Sequence, residues 1–282
     1  MSRSLKNRLF LFFCWGSLGF SVFVLVFLVL TIVWNGFQAL SLEFLILPSK
    51  SFGAEGGILY QIIGSILLVF TAVLMAFPIA LGTAIYKSEY LKNERLQRMS
   101  DMLIYGLNGI PSVIFGIFGL IFFVNLLNTG ISWFVGSIIL GIMILPTLVL
   151  TAYQSINSIP HHYRESGLAL GMNRWGVITE VLLPMGIQGA FTGLLIGLAR
   201  AVGETAPIMF IATAFSGAGI PGSLLEPVSS LPTHILALAQ NATDPTALQN
   251  AWGASLVLIT LVGIFSLTAL YFRNRYKTMI VR

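Results

Sequence analysis

Pro160 to Pro184 read P-H-H-Y-R-E-S-G-L-A-L-G-M-N-R-W-G-V-I-T-E-V-L-L-P, and from Met185 the chain runs on as an apolar segment interrupted by Arg200 and Glu204. The first part is amphipathic, too polar to cross a bilayer and too apolar to be a plain loop. The second is long enough to cross, and an ionised side chain at its centre would cost about 2.5–3.5 kcal/mol if it faced lipid. The pair must therefore face protein or a polar cavity. An interfacial element joined to a charged span makes this an all-α, polytopic membrane protein.

Composition agrees. Of 282 residues, 56% are apolar and 9% charged, and the mean hydropathy is +0.90, where a soluble domain carries roughly 25% charged residues. Several apolar runs approach or exceed the roughly 20 residues that cross about 30 Å of hydrocarbon. They lack the short alternating pattern of a β-barrel, and a soluble enzyme is excluded. The single cysteine, Cys14, sits in an apolar run, so neither a disulfide nor a thiolate metal site is expected. The N-terminal M-S-R-S-L-K-N-R precedes an apolar stretch from Leu9 to about Trp34, longer than a secretory h-region. An uncleaved first transmembrane helix is expected there.

Six spans follow, near residues 9–34, 58–86, 102–127, 133–153, 186–213 and 251–272. Arg3, Lys6 and Arg8 precede the first; Lys87, Lys92, Arg95 and Arg98 lie between the second and third; Arg164 and Arg174 between the fourth and fifth; Arg273, Arg275, Lys277 and Arg282 follow the sixth. With six spans these groups share one side, which the positive-inside bias makes cytoplasmic, with both termini. The other side carries Lys50, the glycine-rich F-G-A-E-G-G at 52–57 and a long segment at 214–250. Within that segment, Pro232 to Gln240 reads as a short amphipathic helix, at the surface or dipping back between the spans. Pro111, Pro146 and Pro207 stand inside spans beside glycines. Ordinary close helix packing accounts for most such residues, and bends used in gating are the functional alternative.

In the amphipathic element, Gly171 should turn the chain between two short helices. Trp175, Val177, Ile178, Val181, Leu182 and Leu183 form an apolar stripe that needs a cover, either a partner groove or the membrane surface, and Pro184 opens the next span. No G-x-x-x-x-G-K-[ST] or G-x-G-x-x-G occurs, so this chain carries no nucleotide-binding signature. His161 and His162 lack a third ligand and read as solvated, His234 stands alone, and Asp101 reads as a cap opening the third span. The mixed-charge segment 87–95 reads as a solvated connector, and N-A-T at 241–243 is given no role.

The element resembles the coupling loop of importer-type ABC transporter permeases, in Glu165, Ser166, Ala169, Gly171 and Leu183-Pro184; Ser166 and Gly167 depart mildly but stay small. The resemblance implies that the loop, with Arg174, docks in a cleft of a cytoplasmic ATPase dimer that binds ATP and magnesium, while this chain holds no cofactor and is no enzyme. Arg200 and Glu204, four residues apart, share a face if the helix is unbroken. The residues alone leave open whether they neutralise each other or whether Arg200 offers its fork of donors to an oxyanion.

The run A-R-A-V-G-E-T-A-P-I-M-F, Ala199 to Phe210, is similar to the signature of the phosphate-import permeases of the PstA family, with supporting matches at 107–116 and 145–147. What this implies is a multi-pass inner-membrane permease core at 58–272, with the coupling loop at about 154–185, after a first helix and outer loop at 1–57 and before a tail at 273–282. The implied cargo is phosphate, and the implied partners are a second homologous permease, the ATPase dimer and an extracytoplasmic phosphate-binding protein. Arg200 and Glu204 would line the path, with Thr205, Asn108, Ser112 and Thr147 as weaker candidates. Permeases for sulfate or molybdate are the nearest alternative. An ion-driven secondary transporter would show an inverted repeat, and none is visible in the halves; a scaffold would need neither the coupling loop nor the charge pair.

Overall fold

The structure is a computed structural model that describes residues 3–50, 53, 55–214, 219–241 and 244–280. Residues 52 and 54 of the glycine-rich loop, part of the 214–222 loop, Ala242-Thr243 of the N-A-T motif and Arg282 lie outside the described residues.

Helix α1 (Arg3–Ala39) is apolar on every side, and from Phe10 onward most of its large side chains are exposed within the chain, as a lipid-facing helix requires. It leans on the last helix, α12 (Pro245–Ile280), where Gly36 meets the Trp252 carbonyl. A short α2 (Leu42–Ile46) and a two-residue antiparallel pair, β1 (Ser49–Lys50) with β2 (Glu55–Gly56), lead to α3 (Leu59–Ile85). A π-helical turn, Tyr86–Tyr90, extends α3.

The centre of the bundle is α6 (Trp133–Asn157), which buries Ile139, Leu140, Met143, Ile144, Leu148 and Val149 against α3 and α9 (Leu183–Gly203). Residues of a lipid-exposed helix would not be so covered. Pro146 lies inside α6, which stays helical through it, so one of the three expected proline bends falls in an unbroken helix.

Among the described residues, five helices are long and apolar enough to cross a membrane: Phe10–Ala39, Leu59–Tyr90, Trp133–Asn157, Arg174–Gly203 and Pro245–Arg275. The third span, expected as one run over 102–127, is instead a pair: α4 (Glu94–Asn108) and α5 (Ser112–Gly119) with a π-helical extension to Leu126, bent by 92°. The reason is local. Pro111 disfavours a helical conformation at Ile110, and Gly109 closes α4 by donating to the Tyr105 and Gly106 carbonyls at 3.1 Å.

The start of α4 also differs from expectation. Asn93 caps it through Arg95 N–H, and Asp101 lies in its middle, where its carboxylate meets Lys87 Nζ at 2.8 Å. Lys87 is only 2% exposed and also lies 4.8 Å from the centre of the Tyr153 ring. The segment from Lys87 is therefore no plain solvated connector: its first residue is a buried ion-pair anchor.

The fifth span differs too. A single helical run begins at Arg174, as α8 (Arg174–Gly176), passes through a π-helical stretch, Val177–Leu182, and continues as α9. Pro184 stands inside this run, where the π-helical stretch passes into α9, and removes one backbone donor there. The run stops at Gly203, and α10 (Ala206–Ile211) resumes after Glu204 and Thr205. Between the spans, α11 (Leu231–Gln240) buries Leu231 through His234 and Leu238 against α3 and α12. It is docked into the bundle, with Ser65 Oγ accepting from Leu231 N–H at 2.8 Å.

Candidate functional site

Glycines on α9 bring it against α6. A β-carbon at Gly197 would sit 3.2 Å from Leu148 Cδ2, and β-carbons at Gly193 and Gly189 would collide with Thr151 and Ser155. Small residues at this spacing let two membrane helices approach closely. The approach carries Arg200, one turn beyond Gly197, to the level of Thr147 on α6.

There the two helix breaks meet. Asn108, the last residue of α4, receives two hydrogen bonds on Oδ1: Arg200 Nη1 donates at 3.1 Å and Thr147 Oγ1 at 3.0 Å. Glu204 lies just past the end of α9, with φ −75° and ψ 125°. Its Oε1 is 3.5 Å from Arg200 Nε. The shared helical face expected of the pair is thus corrected: Glu204 has left the helix, and the carboxylate returns to the guanidinium from the break. The contact is long for a charge-assisted bond, and with Nη1 on Asn108 it leaves the Nη2 edge of the guanidinium for another acceptor. The side chains are 29% and 16% exposed, so the pair is neither in bulk water nor sealed in the core.

Four of the six path candidates, Arg200, Glu204, Asn108 and Thr147, therefore form one connected cluster. Ser112 and Thr205 stand at the breaks themselves, in the first turn of α5 and just before α10, and neither bonds to the cluster. Beyond the breaks, α5 and α10 pack tightly, with a Gly116 β-carbon only 2.8 Å from Pro207 Cα. Pro111 and Pro207 each stand where a helix resumes, so the two proline-marked breaks sit side by side.

At the basic end of the bundle, α7 (His161–Ala169) is joined to α8 by a turn in which Gly171 has φ +85°, a conformation that costs other residues about 1–2 kcal/mol. The expected pair of helices at Gly171 is present. The expected need for outside cover is only partly right. Val177, Ile178 and Leu182 are buried against Ile159 and against Ile85 and Met172, so this chain covers much of the stripe itself. What remains uncovered is Trp175 of the stripe (63% exposed) together with Leu168 (51%) and Leu170 (81%), which precede it. Glu165, Ser166, Ala169, Gly171, Arg174 and Pro184 are also exposed.

The neighbouring Arg164 was visible in the sequence only as a positive charge. Its guanidinium is 14% exposed and bonds Glu89, of the turn after α3, at 2.8 Å. Glu89 is 75 residues away in sequence, and no local pattern links the two.

His234 is likewise more than a solitary loop residue. It is 6% exposed, with Nδ1 3.4 Å from Gln61 Nε2, and burial lowers its pKa to about 4. Among the described residues, no group of three or more His, Cys, Asp or Glu is placed to hold a metal ion.

Residues 76–280 match the family model of the binding-protein-dependent transport system inner membrane component. The chain is 31% identical to the phosphate transport system permease protein PstA of Pasteurella multocida, over 98% of this chain and 97% of that protein. The chain belongs to the PstA-type ABC importer permeases. It is also 31% identical to the probable ABC transporter permease protein YqgI of Bacillus subtilis, over 87% of each chain. The probable PstA protein of Methanocaldococcus jannaschii shares 31% identity over 93% of this chain and 92% of that one.

Solved structures share the permease fold at low identity. A bacterial ABC transporter involved in the import of the acidic polysaccharide alginate superposes with a TM-score of 0.66 at 16% identity, covering 97% of this chain and 99% of that one. The MetNI methionine ABC transporter, in an inward-facing form, gives 0.58 at 17% identity, over 78% and 94%. The chain is thus a multi-pass inner-membrane permease subunit of an ABC importer that couples to an ATPase, a transport component and not itself a catalyst of bond chemistry.

Proposed function

We propose that the cargo is inorganic phosphate and that it passes the two helix breaks beside Arg200. The observation that supports this reading best is the cluster itself. Asn108 Oδ1 accepts from Arg200 and Thr147, which fixes one edge of the guanidinium, while Glu204 approaches at 3.5 Å. Phosphate between pH 6 and 8 carries both acceptor oxygens and hydroxyl donors. A guanidinium serves the first and a carboxylate the second, so one pair recognises both faces of the anion. Ser112 and Thr205 add hydroxyls at the breaks, with freed backbone groups of the kind that discontinuous membrane helices present to their cargo.

In this reading the chain forms the path with a second homologous permease. An extracytoplasmic phosphate-binding protein delivers the anion at the end opposite the basic loops, and a cytoplasmic ATPase dimer, holding ATP and magnesium, receives the coupling loop. The termini lie in the cytoplasm, as the clustering of lysine and arginine supports. Glu165, Ser166, Ala169, Gly171 and Arg174 form the docking face, and Pro184 marks where it enters the span. ATP-driven closure of the dimer shifts the loop, and the breaks at Pro111 and Pro207 let the packed outer halves α5 and α10 move against α4 and α9. Pro146 lends local freedom to α6 by removing one helical hydrogen bond.

The test uses the assembled importer in lipid with its binding protein. ATP turnover and uptake are measured while phosphate, sulfate and molybdate are titrated, then repeated with Arg200→Ala. Selective stimulation by phosphate is expected, and the variant should keep basal turnover while uptake falls at least about 100-fold, the loss of one charge-assisted contact worth roughly 3 kcal/mol. Stimulation by another oxyanion would overturn the phosphate assignment. Normal uptake in the variant would reduce Arg200 to a partner of Glu204.

A further inference from the structure

Arg164 precedes the docking face by one residue and faces inward. Its guanidinium meets Glu89 through two donors, Nε donating at 3.1 Å to Oε1 and 3.2 Å to Oε2, and Nη2 donating at 2.8 Å to Oε1. Nη1 donates to the Ile159 carbonyl at 2.7 Å, and Nη2 also reaches the Ile156 carbonyl at 3.1 Å. Those carbonyls belong to the last turn of α6 and the residues just after it, where a cation is favoured by the helix dipole. Glu89 is held in turn by Ser88 Oγ at 2.9 Å. One side chain therefore joins three elements: α7, the C-terminal end of α6 and the π-helical turn that ends α3.

We infer that the Arg164–Glu89 pair is the positioning contact that passes motion of the coupling loop to α3 and α6. This rests on the reading of α7 as the part that meets the ATPase. The geometry suits transmission. The pair is largely buried, at 14% and 16% exposure, and the planar fork engages its carboxylate in two directions, which resists sliding as a single lysine bond would not. From Ile156, α6 runs nine residues back to Thr147, about 14 Å at 1.5 Å per residue, and Thr147 bonds the Asn108 that holds Arg200. A push on α7 thus has a continuous packed route to the cluster. Leu168 on α7, Leu170 just after it and Trp175 on α8 are exposed, so the coupling loop takes force on its exposed side and delivers it through the buried Arg164.

The test compares Arg164→Lys, Glu89→Gln and the double variant in the reconstituted importer with its binding protein. Three quantities are read: yield of assembled complex, basal ATP turnover, and the ratio of anion-stimulated to basal turnover together with uptake. The anion used is whichever one stimulates the unmodified complex, so failure of the phosphate assignment leaves this test intact. Expected are assembly and basal turnover within about twofold of the unmodified complex, a fall of about tenfold or more in the stimulation ratio and uptake for each single variant, and a double variant no worse than either single. A stimulation ratio and uptake within twofold in both single variants overturn the inference. So does loss of assembly in both, because the pair would then be a folding clamp with no separate part in transmission.

Discussion

Replacing Asn108 by aspartate tests the path assignment most directly. The side chain keeps its shape and its acceptor oxygen, so the bonds from Arg200 Nη1 at 3.1 Å and Thr147 Oγ1 at 3.0 Å can both persist. What changes is charge. An anion bound to the free edge of the guanidinium would sit about 6 Å from the new carboxylate, and two unit charges at that distance repel by roughly 3 kcal/mol with an effective dielectric constant near 20. The aspartate also holds Arg200 more tightly than a neutral amide does, which adds to the penalty. Half-maximal uptake is therefore expected to need at least about 100-fold more phosphate, since 1.4 kcal/mol is tenfold. Assembly and the melting temperature should change little, because the site already tolerates Glu204. Radiolabelled phosphate uptake into proteoliposomes, measured at saturating binding protein, gives the curve. An unchanged half-maximal concentration in Asn108→Asp would refute the reasoning, since no anion could then pass within 6 Å of that oxygen.

Three further outcomes follow from other parts of the structure. Asp101→Ala strands the buried Lys87 ammonium, which is 2% exposed against 45% for its partner; a loss of about 2–3 kcal/mol is expected, below the roughly 3–5 of a fully buried pair. That lowers the melting temperature by about 4–10 °C, and adding Lys87→Met should recover most of it, so a double variant as unstable as the single would contradict the account. Leu170→Asp, at a position 81% exposed, should leave the melting temperature within about 1 °C, as surface changes usually do, while ATPase recovered with the complex falls at least about tenfold; normal recovery would place the docking face elsewhere. His234, neutral in the fold because burial lowers its pKa to about 4, binds a proton more readily when unfolded. Its contribution to stability is full above about pH 6.5 and is lost as pH falls toward 4, up to about 3 kcal/mol in all; His234→Gln should flatten the decline in melting temperature between pH 7 and 5, and an unchanged slope would contradict it.

The span positions were legible because hydrocarbon thickness sets a minimum run of apolar residues, and α1, α3, α6 and α12 meet it without interruption. Gly171 was legible as a turn because a positive φ leaves few alternatives to glycine. The start of α4 was not. Ser100-Asp101 before an apolar run looks like a cap, yet the charged stretch from Glu94 is already helical, with Arg98 reaching back to Glu94 at 3.4 Å. A helix that emerges from the membrane keeps its period while losing its hydropathy, so hydropathy marks the bilayer and not the helix. The Arg164–Glu89 and Lys87–Asp101 pairs were hidden for another reason: their partners are set by how α4, α6 and α7 pack around the turn that ends α3, and sequence patterns report only neighbours one turn away.

The same limit explains the breaks, and it bears on what they do. Arg200 and Glu204 at a spacing of four suggest an i, i+4 pair on an intact helix, and the two side chains do meet, at 3.5 Å. An intact helix would have offered an arginine and nothing else from its backbone. Ending α9 at Gly203 and α4 at Asn108 frees carbonyls and N–H groups at one level, where lipid contact would be prohibitive and only a polar cavity or protein can satisfy them. Two neighbouring spans broken at the same level, joined there by Arg200 and Asn108 and packed beyond it through Gly116 and Pro207, are costly for a structure that needs only to be stable. They suit one that must bind a polar solute midway and then let it go.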